Sequence, residues 1–90
     1  MVEKSELQKG IAKRIKHIRK IYRHTKEETA NFLGVNYFTY IGYEYCKSII
    51  PHEVILEFCN MYHVSVSYIY GQRGLTDQEK DWLSAKFLNL

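Results

Sequence analysis

Four histidines (His17, His24, His52, His63) and two cysteines (Cys46, Cys59) are the side chains most able to hold a metal or act as nucleophiles. Their spacing suits neither task. A structural zinc site needs thiolates or imidazoles a few residues apart on one turn or helix face, and the chain has neither a CxxC pair nor an HxxxH pair. Isolated cysteines are expected to be reduced thiols, and the histidines structural or solvated. No nucleophile–base pair and no glycine-rich phosphate cradle is visible, so no catalytic residue, metal or cofactor is expected.

The cations carry more information. Residues 1–26 hold nine Lys or Arg against two Glu, a balance of +7, whereas residues 27–90 hold four against eight acids, a balance of −4. Clustered cations release condensed counterions when they meet phosphates, so a basic end on a small domain points to a polyanion. A solvated helix face is the commoner fate of a charge run, and charge alone leaves both open.

The elements that must position these charges follow from periodicity. Ninety residues, 46% of them apolar, suit one small domain with a single core. The chain has no apolar run of membrane-spanning length and no signal-like order, which leads to the expectation of a soluble cytoplasmic protein. Leu7, Ile11, Ile15, Ile18 and Tyr22 recur every three or four residues and form one stripe of a first helix. Lys9, Lys13, Lys16, Lys20 and Arg23 form a basic stripe, and Arg19 lies at the edge of the apolar one. Thr25 and Glu28 have capping-box spacing and start a second helix, with Ala30 and Leu33 inward and Gly34 at its end. Asn36 can cap a third helix from Tyr37 to about Tyr45.

Pro51 is predicted at the first position of a fourth helix that faces inward through Val54, Ile55, Phe58, Cys59 and Tyr62. Ser65 caps a short fifth helix that stops at Gly71. Thr76 and Glu79 repeat the capping box and open a final helix to about Asn89, with Trp82, Leu83, Lys86 and Leu90 on one side. The expected class is all-α.

Two short helices joined by a glycine turn describe a helix-turn-helix, in which the first helix crosses the phosphate backbone and the second enters the major groove. The block T-K-E-E-T-A-N-F-L-G-V-N resembles the corresponding block of the Cro/C1-type (XRE family) regulators. So do Thr39, Tyr40, Tyr43 and Glu44 in T-Y-x-x-Y-E, and the later I-I-P-H-E and V-S-V-S-Y-I-Y-G. The resemblance runs from about Ile11 to Gly71.

It implies a five-helix, lambda-repressor-like helix-turn-helix domain over residues 1–71. Residues 72–90 then form a C-terminal helical extension that serves as a possible dimerisation element. The implied function is a transcriptional repressor, acting as a homodimer on a palindromic site in double-stranded DNA. Tyr40 and Tyr43 fall at inward positions of the family. Glu44 falls where a carboxylate pairs with a first-helix arginine, here Arg19. Lys26 and Lys47 fall at phosphate-contacting positions.

Asn36, Tyr37, Phe38, Thr39 and Gly42 fall where base and nearby backbone contacts concentrate. Here the chain departs from the family pattern. No Arg can grip guanine bidentately, and no Gln or Asn within the helix can pair with adenine. The apolar outer residues Tyr37, Phe38, Ile41 and Tyr45 favour a second expectation, an antitoxin-type or other protein-interaction module that binds a protein partner on this face.

Overall fold

The computed structural model describes residues 6–84, and every regular element among them is a helix. The apolar spacing of the first segment produces α1 (Glu6–Ile21), which buries Ile11, Ala12, Ile15, Ile18 and Arg19. Leu7 keeps to the expected stripe beside Ile11 but is 50% exposed, because it overhangs a cleft at the start of the helix. Tyr22 lies just past the helix, half-buried, and Arg23 turns the chain away with a positive φ of 62°. Arg14 faces the opposite end of the domain, where Nη1 donates to the Ile69 carbonyl at 3.1 Å. Its guanidinium would sit 2.7 Å from a Cβ on Gly71, whose φ of 80° also favours glycine.

The next helix, α2 (Lys26–Leu33), begins with a complete capping box. The Glu28 amide donates to Thr25 Oγ1 at 3.0 Å, and the Thr25 amide donates to Glu28 Oε1 at 2.8 Å. That backbone donor holds the Glu28 carboxyl below its ordinary pKa. Gly34, in the left-handed region at φ 72°, closes α2 by donating to the Ala30 and Asn31 carbonyls. Asn36 then caps α3 (Tyr37–Glu44), whose inner face buries Tyr40, Tyr43 and Glu44. Cys46 follows with φ 60° and starts the connection to α4 (His52–Tyr62).

Pro51 stands one residue earlier than predicted, at the cap of α4: its ψ of 146° is extended, so the helix begins at His52. The Pro51 carbonyl accepts from Val54 and Ile55. Ile55, Phe58, Cys59 and Tyr62 are buried on α4, and Val54 is partly so. His63 ends the helix at φ 58°, and Ser65 Oγ caps α5 (Val66–Ile69) by accepting from Tyr68. No helix among the described residues is long and apolar enough to cross a membrane.

One polar cluster is buried with the core. The Tyr62 hydroxyl meets Thr29 Oγ1 at 2.9 Å and His24 Nδ1 at 2.8 Å, while the Tyr62 carbonyl accepts from the Tyr22 hydroxyl at 2.6 Å. These contacts join α4 to α2 and to the end of α1. Tyr22 also accepts from Trp82 Nε1 at 3.3 Å, which brings in α6 (Asp77–Leu83). On α6, Leu83 is buried in the core. Glu79 does two jobs: Oε1 completes the capping box with the Thr76 amide at 2.9 Å, and Oε2 accepts from the Ser65 amide at 2.8 Å. The described part of the C-terminal extension therefore packs on this chain's own core, and Trp82 keeps one face in solvent. Lys86, Leu90 and the rest of the expected final helix lie outside the described residues.

Burial of the Glu79 carboxyl opposes its charge, but the Thr76 and Ser65 amides outweigh this and hold it below the ordinary 4.5. A carboxylate with a depressed folded pKa stabilises fully above its unfolded value, and the benefit is lost as pH falls through the folded pKa. Glu79→Gln should therefore lower stability by about 1–2 kcal/mol near neutrality. In urea melts the deficit should shrink toward zero in acid; a pH-independent deficit would mean that the charge plays no part. Tyr62→Phe removes a partner from buried Thr29 and from His24, and should cost about 1–3 kcal/mol in the same measurement.

Candidate nucleic-acid interface

The position of α3 is set from inside the domain. Arg19 Nε donates to Glu44 Oε2 at 2.7 Å and Nη2 to Oε1 at 3.1 Å, a two-pronged ion pair with both side chains almost fully buried. The remaining prong, Nη1, donates to the His24 carbonyl at 2.7 Å, and the Tyr40 hydroxyl donates to Glu44 Oε2. Burial works against the Arg19 charge, but the Glu44 hydrogen bond and charge prevail and hold its pKa above the ordinary value. The Tyr40 phenol is raised by burial first and by the Glu44 carboxylate second, so it remains a donor. No buried side-chain polar atom among the described residues lacks a hydrogen-bond partner.

With its inner face fixed, α3 has only one face left for solvent. Asn36, Tyr37, Phe38, Thr39 and Tyr45 are exposed there, with Phe38 the most open at 76%. The Tyr37 and Phe38 rings touch edge to face, with centroids 5.3 Å apart. Asn36 is partly committed: its Oδ1 accepts from the Phe38 amide at 2.8 Å and the Thr39 amide at 3.4 Å. Only its amide nitrogen is left to donate outward, so Asn36 cannot grip adenine with a donor and an acceptor together.

Gly42 and Ile41 are only partly exposed. Gly42 is set under the α3–α4 connection, where its carbonyl accepts from the Lys47 amide at 2.8 Å and the Ser48 amide at 3.3 Å. A Cβ there would come within 3.2 Å of Ser48 Oγ. It thus shapes the loop that carries Lys47, and its place in the site is indirect. Lys26, at the start of α2, lies with Nζ 5.5 Å from the centre of the Tyr45 ring. Lys26 and Tyr45 are thereby brought together, at the opposite end of α3 from Tyr37.

The first-helix lysines are closer to α3 than the sequence suggests. Lys9, Lys13 and Lys16 line a shallow groove with Tyr45 and Cys46, beside the C-terminal end of α3. The signal that could have revealed this is Ala12, buried among those lysines at 4% exposure. A small residue inside a basic stripe lets another helix approach, and here α3 does so. The result is a basic flank of Lys9, Lys13, Lys16 and Lys26 around Tyr45, next to an apolar tip of Tyr37 and Phe38.

Cys46 and Cys59 are both free thiols. Burial, with the nearby Glu79 charge adding to it, pushes the Cys59 thiol up to about 11, which makes it a poor nucleophile. Among the described residues, no three His, Cys, Asp or Glu side chains converge to hold a metal ion. No protein-family model, curated protein or solved structure matches the chain. Its function has to be read from this arrangement.

Removing Glu44 alone leaves the Arg19 guanidinium buried and uncompensated, so Glu44→Ala should cost about 3–5 kcal/mol in chemical denaturation. Replacing both partners with apolar residues should cost clearly less than the sum of the two single losses. Strictly additive losses would contradict a coupled buried pair.

Proposed function

We propose that this chain binds duplex DNA through its helix-turn-helix unit, α2–turn–α3, and acts as a transcriptional regulator. The observation that carries the reading is the pairing of an outward, exposed α3 face with the basic flank of Lys26, Lys9, Lys13 and Lys16. Phosphates fall to Lys26 and Lys47, and to the α1 lysines as a longer-range attraction. Asn36, Tyr37, Phe38 and Thr39 meet base edges. Aromatic rings can pack against thymine methyls, which discriminates less sharply than a bidentate hydrogen-bonded pair.

The resemblance to Cro/C1-type regulators extends the proposal to a cytoplasmic repressor that binds a palindromic site as a homodimer. The half-exposed Trp82 and the outer side of α6 are the surface on which we place the second copy. A second reading, a partner-binding or antitoxin-type module, is favoured by one observation. Phe38 and Tyr37 form an exposed, mutually packed aromatic tip of the kind common in protein interfaces.

Duplex binding measured across a salt series tests the first reading. Affinity should fall steeply as salt rises, and Lys26→Ala and Lys47→Ala should each reduce the log–log slope by about 1. No binding to any duplex at about 50 mM salt would reject DNA binding and leave the aromatic tip to a protein partner.

A further inference from the structure

A cleft of about 200 Å3 opens between the start of α1, the α3–α4 connection and the N-terminal half of α4. Its walls are mainly apolar: Leu7 and Ile11 come from α1, Ile49 from the connection and Ile55 from α4, with Gln8 and Ser48 as polar neighbours. Leu7 has the register of a core residue and Ile49 is a large aliphatic side chain. Yet they are 50% and 67% exposed, because they overhang the cleft without filling it. Water there finds few partners along the aliphatic walls, so an apolar occupant has little to displace.

Three further features restrict what that occupant is. Among the described residues no Lys, Arg, Asp or Glu lines the cleft, so a charged occupant would lose its hydration without a fixed counter-charge in the lining. The volume suits one ring with a substituent or a small fused pair, since a cavity of about 150 Å3 with similar walls accepts benzene. One end is polar: His52 Nδ1 and the Tyr70 hydroxyl share a 2.6 Å hydrogen bond. The pair retains the second imidazole nitrogen and a phenolic lone pair for a ligand.

We propose that this cleft binds an uncharged one-ring or small fused-ring molecule with a single hydroxyl or N–H, of phenol or indole type. Its ring lies against Leu7, Ile11 and Ile55, and its polar atom meets the His52–Tyr70 pair. The cleft also touches the candidate interface. Tyr43 of α3 and Ser48 line it, and the connection that carries Ser48 and Lys47 is fastened to the Gly42 carbonyl. Occupancy therefore bears on Lys47 and on the end of α3. This regulatory half rests on the DNA-binding reading above; the binding half does not.

Amide NMR spectra of the full chain, titrated with phenol, indole, toluene and benzoate, test the site directly. Saturable shifts are expected at Leu7, Ile11, Ile49 to Ile55 and Tyr70, with phenol or indole bound several-fold more tightly than toluene, and benzoate weakest. Tyr70→Phe should cut the advantage of phenol over toluene by about three- to tenfold with the fold intact. The site is overturned if no ligand saturates by about 10 mM, or if the shifts lie elsewhere. It is equally overturned if the cleft signals move on dilution, which would place a second copy there, or if residues 1–5 of the same chain contact Ile49. Duplex affinity should change at least about threefold at saturating phenol. An unchanged affinity with saturable binding overturns the regulatory half alone. Saturable phenol binding with no duplex binding at all rejects the DNA reading and its regulation, and leaves the ligand site standing.

Discussion

The buried contact between Arg19 and Glu44 constrains everything outward of it. A guanidinium and a carboxylate removed from water are stable only when nearly every donor and acceptor is met. Here the Tyr40 hydroxyl and the His24 carbonyl complete the set. Three separate stretches of chain are thereby committed to one geometry: the last turn of α1, the turn before α2, and the last turns of α3. Sliding or rotating α3 would break a charged contact inside the protein. The helix is accordingly fixed about its own axis as well as in position, and this decides which residues are offered to a partner.

The offered face is mixed in character because two different packing demands meet on it. At the C-terminal end of α3, Ala12 lets α1 come close and brings the α1 lysines with it. At the N-terminal end the Tyr37 and Phe38 rings touch each other and remain exposed. Positive charge and aromatic surface are thus separated along the length of one short helix. On the proposed DNA-binding reading, a polyanion would be drawn to one end, and contact discrimination would fall to the other.

Local signals made the helices legible in the sequence. Both capping boxes, the left-handed Gly34 and the Asn36 and Ser65 caps are short-range patterns, each fixed by residues within one turn of itself. Burial of Tyr40 and Tyr43 followed from family position and agreed with their spacing of three. What stayed hidden depends on residues far apart in the chain. Tyr62 meets Thr29 and His24, and Glu79 reaches the Ser65 amide, through contacts that no periodicity encodes. The exposure of Leu7 is hidden for the same reason, since the stripe fixes which side of α1 it occupies but not whether anything covers that side. Asn36 illustrates a further limit: the residue type that suits a base contact also suits a helix cap, and here the cap takes its oxygen.

The chain contains a single tryptophan, and its place has a practical consequence. Trp82 lies on α6 with its indole nitrogen on the Tyr22 hydroxyl and its ring 4.9 Å from that of His63, both outside α6. Detachment of α6 would move the indole from this ring cluster into water while α1 to α5 stayed folded. Its emission would then change before helical circular dichroism, which follows the loss of the whole domain; coincident changes would mean that α6 and the body unfold together. The protein thus carries its own fluorophore at the seam between α6 and the helices before it, with no label required to watch that seam open.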